Sequence, residues 1–244
     1  MASSECDEFY EDGQPPIIFS THDFGDVQEF CYTHFAVVHS TATRGAIWSV
    51  QSLTRENALL GDCISRPDVG FHQQDGLGSD NGASASDYTR SGWQIGHMTP
   101  VDDMPDFDTQ RQTFVFSNAV PQAPRLNSPR WSGLENQIHN MAEDVPDGLY
   151  VVTGPIYADE NIRMLNGRVG IPTHVFKAVY DPAGNRARVF IAANRNTATI
   201  LQMSLAELER EYGIVAFPTL SSEVRSQEEQ WTLPRRQHRR CVLR

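Results

Sequence analysis

Two runs, THVFKAVYD at residues 173–181 and ARVFIAAN at 187–194, constrain the fold more than any other feature of this chain. Both are rich in β-branched and aromatic side chains, and a turn, DPAGN, joins them. Such runs, bounded by Pro, Gly and Asn, read as neighbouring strands. LYVVTGPIY (149–157), GAIWSVQSL (45–53) and CYTHFAVVHS (31–40) read the same way, and TATR makes the last two a hairpin. TFVFSNAVPQ (113–122) is expected to start as a strand and to end at Pro121.

Two segments carry helical periodicity instead. WSGLENQIHNMA has apolar residues at 131, 134, 138, 141 and 142, steps of three and four that mark an amphipathic helix. Ser128 is placed to cap it, and Pro129 suits its first turn. SLAELEREYGI (204–214) opens with Ser204 and Glu207 in a capping box and stops at Gly213. The expected fold is one α+β domain, a mostly antiparallel central sheet with flanking helices. Residues 1–29, acidic and turn-rich, form an N-terminal arm; residues 30–244 form the single domain with a basic tail, RRQHRRCVLR. DGLGSDNGASASD lies in a long surface loop over 61–92, a length often tied to function.

Composition narrows the function classes. The chain has 244 residues and a net charge of −11. A protein that coats nucleic acid through bulk charge is basic, so any phosphate contact here is local, through a metal or a few arginines. Of 20 basic residues only Lys177 is a lysine; guanidinium groups suit phosphate and carboxylate, although composition bias explains the same count. No run of about 18 apolar residues is present, so no membrane partner is expected. Cys6, Cys31, Cys63 and Cys241 are too widely spaced for a CxxC site. Their even number is compatible with two disulfides in any of three pairings, and with free thiols. No signal peptide is legible in MASSECDEFY; the cysteines make a secreted or periplasmic location the expectation.

GWQIGHMTPVDDM (92–104) poses the chemical question: is His97 structural or a base? Asn127 lies just before the expected helix and Glu135 in its second turn, eight residues later. A strand-borne His facing that helix N-terminus, where anions are favoured, makes a compact site. Taken singly, His97 reads as structural, Asn127 as a turn or cap residue and Glu135 as a solvated helix residue. Asp102, Asp103, Asp106 and Asp108 lack the central Gly and closing Glu of a calcium loop.

GWQIGHMTPVDDM, TFVFSNAVPQ, LNSPRWSGLE and LYVVTGPIY, in this order and spacing, resemble the DNA/RNA non-specific endonuclease family. The likeness covers roughly residues 30 to 220. It implies a ββα-metal finger, and hydrolysis of DNA and RNA phosphodiester bonds to leave 5′-phosphate ends. His97 matches the general base that activates water. Asn127 matches the direct ligand of one Mg²⁺, with Mn²⁺ as an alternative, and Glu135 the residue that holds the metal's waters. Asn118 matches a site-supporting asparagine, and Arg66, in ISRPD, a phosphate-binding arginine. A protein inhibitor is a further partner to expect. The chemistry agrees: a neutral His takes a proton from water near pH 7, and Mg²⁺ accepts few protein ligands.

The chain also departs from the family pattern. Gln94 and Ile95 stand where the family has Asp-Arg before Gly-His, and His139 stands where it often has Arg. Losing a charge-assisted phosphate contact costs about 1.5–3 kcal/mol; Arg90 or Arg130 is expected to compensate. The rival reading is a weakened or non-catalytic module on the same fold that binds nucleic acid or a protein.

Overall fold

The computed structural model describes residues 6–234 and Cys241. The RRQHRR stretch of the basic tail lies outside the described residues. The centre of the molecule is a seven-stranded sheet in which every neighbouring pair is antiparallel. Its strands are β2 (Val27–Cys31), β3 (Ala36–Ser40), β4 (Gly45–Leu53), β7 (Leu149–Ile156), β10 (His174–Asp181), β11 (Arg186–Ala193) and β12 (Leu201–Met203). They lie in the order β12-β11-β10-β7-β4-β3-β2. Two-stranded pairs surround it: β1 (Ile17–Ile18) with β13 (Ile214–Val215), β5 (Gln94–His97) with β6 (Ala119–Gln122), and β8 (Arg163–Leu165) with β9 (Val169–Ile171).

Both faces of the sheet are covered, which is why its inner strands read as near-continuous apolar runs. On one face Val151, Val175, Val179 and Phe190 pack with Leu134, Ile138 and Met141 of helix α4 (Ser132–Asp144). α1 (Arg55–Gly61) and the β5–β6 pair join the same layer through Ala58 and Val120. On the other face Val152, Phe176, Ala178, Val189 and Ile191 meet α5 (Leu205–Tyr212), α6 (Ser222–Arg225) and Phe9 and Tyr10 of the N-terminal segment. Between β5 and β6 run three short helical segments, of which α3 (Phe107–Gln112) is the longest; α2 (Ala85–Tyr88) lies in the loop before β5.

The strands at 45–53, 149–156, 174–181 and 186–193 fall where the sequence puts them. α5 does too, with Ser204 and Glu207 in a capping box and Gly213 in the left-handed region at φ 67°. Three expectations are corrected. CYTHFAVVHS is not one strand: the chain turns at Tyr32–Phe35, whose terminal rings stack 4.3 Å apart. TFVFSNAVPQ is a strand only at its end: Phe116–Asn118 is a single helical turn and the strand runs Ala119–Gln122, through Pro121. The helix after Asn127 starts at Ser132, behind a wider π-type turn over Leu126–Trp131 in which Ser128 is extended. In addition, the division at residue 29/30 falls inside β2. The N-terminal segment is tied down by the β1–β13 pairing and by a Cys6–Cys31 disulfide. Cys63 and Cys241 form the second disulfide.

Candidate active site

The β5–β6 pair carries the histidine. In register His97 faces Ala119, Gly96 faces Val120 and Ile95 faces Pro121. Met98 donates to the Asn118 carbonyl at 2.9 Å. Ladder hydrogen bonds alternate along an antiparallel pair, so Ile95 and Pro121 meet at a pair that exchanges none. Proline therefore fits there despite lacking an N–H. Gly96 is required for a different reason: a Cβ on it would lie 2.2 Å from Gln122 Oε1 and 2.8 Å from Gln122 Cβ.

Asn118 is fully buried and spends its side chain on backbone. Its Oδ1 accepts from Thr99 N at 2.9 Å, and its Nδ2 donates to the carbonyls of Thr99 and Thr113 at 3.0 and 3.1 Å. It fixes the chain two residues past His97 and does not line the cleft. Its place is that of a support for the chain after His97 and not of a group in contact with substrate.

The other expected residues converge. A cleft of about 200 Å³ is lined by Arg66, His97, Asn127 and Glu135, together with Ile95, Asp102, Asp103 and His139. The His97 ring sits 4.5 Å from Phe71 and 5.0 Å from Phe114, centroid to centroid. Phe71 comes from the long loop, which is stitched to the body where His72 N donates to the Phe114 carbonyl at 2.9 Å. His97 Nε2 is buried and has no hydrogen-bond partner among the described residues. Burial, and then the Arg66 cation, hold the imidazole down to about 3, so it is neutral at pH 7. The Arg66 guanidinium itself lies 5.1 Å over the Phe114 ring.

Asn127 sits in the irregular turn that precedes α4, next to the extended Ser128. Its Nδ2 donates to Gln94 Oε1 at 3.0 Å, which leaves the amide oxygen for the cleft. Gln94 thus has a definite contact at a position where the family pattern carries Asp. Glu135 lies in the first turn of α4, and its Oε1 is buried without a hydrogen-bond partner among the described residues. Burial, opposed chiefly by Lys177, pushes its carboxyl above the usual carboxylate range, with Asp103 and Asp102 adding to the rise.

Two groups escaped the sequence reading. His139 keeps a positive charge where one was expected to be lost or weakened. Its Nδ1 donates to Asp103 Oδ1 at 2.9 Å, and its Nε2 is 3.4 Å from Asp62. Burial alone would lower its pKa, but Asp103, Asp62 and Glu143 outweigh that and raise it to about 9. The second is Lys177, which reaches the site from the middle of β10; a lone charged residue inside THVFKAVYD was the available signal. The expected compensation by Arg90 or Arg130 does not occur in the cleft. Neither lines it, and Arg130 Nη1 donates to the carbonyls of Arg125 and Asn196, both at 2.8 Å.

The arrangement supplies a neutral base, two oxygen donors suited to a hard cation, and one arginine: parts that fit attack of water on a phosphodiester. Comparison with known proteins agrees. The sequence is 28% identical over 213 residues to the mitochondrial nuclease EXOG of Danio rerio, covering 79% of this chain and 61% of that protein. It is 27% identical over 205 residues to the mitochondrial endonuclease G of Bos taurus, covering 76% and 68%. It is also 27% identical over 236 residues to a mitochondrial nuclease of Saccharomyces cerevisiae, covering 84% and 68%. The chain thus spans about three fifths of the length of the D. rerio relative. These mitochondrial relatives overturn the expectation of a secreted or periplasmic protein. The crystal structure of an EndoG/EndoGI complex superposes with a TM-score of 0.73 at 20% identity, over 84% of this chain and 96% of that one. The profile of the DNA/RNA non-specific endonucleases matches residues 15–223, and the chain belongs to that family.

Proposed function

We propose that this chain is a divalent-metal-dependent endonuclease that hydrolyses phosphodiester bonds in DNA and RNA. One observation carries the reading: a His97 Nε2 and a Glu135 Oε1 that make no hydrogen bond among the described residues share one cleft with the Asn127 side chain. A buried carboxylate oxygen that accepts no hydrogen bond is costly, and the Lys177 ammonium at 4.0 Å only partly offsets that, so a closer cation or water fits there. Beside an amide oxygen it suits a hard ion of the Mg²⁺ class, with Mn²⁺ next. Asn127 would hold the ion directly and Glu135 would hold it or its waters. When bound, the ion supplies positive charge against the phosphate and the departing oxygen.

The chain's own residues supply the rest. His97 takes the proton of the attacking water at Nε2; its low pKa in the free protein rises as the anionic phosphate enters. Arg66 offsets charge on a phosphate oxygen. Gln94 orients Asn127 by accepting from Nδ2. Attack on phosphorus with loss of the 3′-oxygen leaves a 5′-phosphate end. Plasmid digestion with Mg²⁺, with Mn²⁺ and with EDTA tests the reading. Expected is metal-stimulated, EDTA-sensitive nicking that His97→Ala abolishes while its circular dichroism spectrum is unchanged. Nicking by that variant at the wild-type rate, or none by the wild type with either ion, would sink it. The second outcome, with DNA binding intact, favours the non-catalytic reading, for which the apolar Ile95 on the cleft wall is the motive.

A further inference from the structure

Lys177 is the one lysine in a chain with 20 basic residues, and it is 1% exposed. It lies on the α4 face of the sheet, between Val175 and Val179, which pack in that layer. In register it faces Thr153 on β7, which faces Ser49 on β4, so a buried polar row crosses the sheet under the cleft. Lys177 Nζ donates to Thr153 Oγ1 at 2.6 Å and to the Met98 carbonyl at 3.3 Å, and it lies 4.0 Å from Glu135 Oε1. Met98 is the residue after His97.

We propose that Lys177 is a positioning residue for the cleft: its ammonium ties the exit of the His97 strand and the Glu135 carboxylate to one point of the sheet. The base and the carboxylate thereby keep a single spacing. The inference rests on the reading of Asn127 and Glu135 as the metal-holding pair. Two physical arguments support it. A buried charge with a long ion pair does little for stability, since well-packed apolar side chains in such places are often neutral or better. The residue type is also informative. An ammonium directs three donors apart, toward a hydroxyl, a carbonyl and a carboxylate on three different segments, whereas a planar guanidinium fork does not. A chain that uses arginine everywhere else has lysine at this place.

A single lysine makes a direct test possible. Protein grown with ¹³C,¹⁵N-lysine gives one Cε–Nζ signal. It is expected to move as Mg²⁺ is titrated in and to broaden with Mn²⁺, and Glu135→Gln should lose the Mg²⁺ response. Lys177→Met is expected to fold and to lose about a hundredfold in kcat with little change in KM for DNA, the cost of a base misplaced by about an ångström. Lys177→Arg is expected to recover only a small part. The proposal is overturned if Lys177→Met keeps the wild-type kcat. It is also overturned if the signal ignores Mg²⁺ in a sample that Mg²⁺ drives to cleave DNA. If neither shift nor cleavage occurs in the wild type, the reading of the metal site falls with it.

Discussion

On the face covered by α5 and α6, β7, β10 and β11 present Val152, Phe176, Ala178, Val189 and Ile191 to an apolar layer. On the face under α4, β4, β7 and β10 set Ser49, Gln51, Thr153 and Lys177 among Leu53, Val151 and Val179. The polar groups reach upward. Gln51 Nε2 donates to Asp103 Oδ2 at 2.6 Å, and Asp103 accepts from His139; Lys177 serves Met98 and faces Glu135. Burying a polar group costs about 1–3 kcal/mol unless it is well partnered. The second face accepts that cost directly beneath the cleft. One sheet thus has two unlike faces: both carry an apolar core, and only the α4 face carries the polar row that reaches the cleft.

The sharpest way to break this comparison is to change each face separately. His97→Ala should lower kcat by about 10²–10⁴-fold and leave the melting temperature unchanged; a large loss of stability instead would mean that the two roles are not separated. Phe176→Ala on the opposite face should lower unfolding free energy by about 3–5 kcal/mol. Its cleavage rate per folded molecule should equal wild type, measured below the new melting transition.

His139 tests the α4 face through pH. Its folded pKa, about 9, lies above the ordinary value of 6.5. The protonated form therefore stabilises the fold fully below about pH 6.5, and that stabilisation is lost as pH rises through about 9. Chemical denaturation of wild type and His139→Gln should show a gap of a few kcal/mol at most, present at pH 6 and narrowing toward pH 9.5. A gap that is constant with pH would refute the ion-pair assignment. The smallest effect is expected at Ser204, whose cap on α5 serves the other face. Ser204→Ala should cost about 1 kcal/mol and leave cleavage unaltered.

What the sequence revealed of this fold follows the same division. β7, β10 and β11 were legible because burial on both sides makes them rich in apolar and β-branched residues, and α5 because its cap and stop are local. The turn at Tyr32–Phe35 and the helical turn at Phe116–Asn118 were not. There the aromatic residues are used for packing: Phe71 and Phe114 enclose His97, and Phe116 stacks near Tyr88. Propensity cannot tell an aromatic in a ladder from one wedged against a neighbour. At the site, His97, Asn127, Glu135 and Arg66 were singled out because family resemblance joined them, and the fold brings them to one cleft. Lys177 and the Asp103–His139 pair depend on which strand lies under which helix, which is long-range information. Gln94 and Ile95 were seen as departures, but the Gln94 bond to Asn127 required the register of β5 on β6.

Pro121 gives that register a consequence of its own. Turning β6 over, so that Pro121 rather than Val120 and Gln122 pointed its backbone at β5, would set a residue without an N–H where the ladder needs a donor. A one-residue slip of β5 alone would instead exchange its two faces and turn His97 away from the cleft. A residue that lines no part of the cleft therefore decides which backbone groups of β6 the His97 strand can pair with.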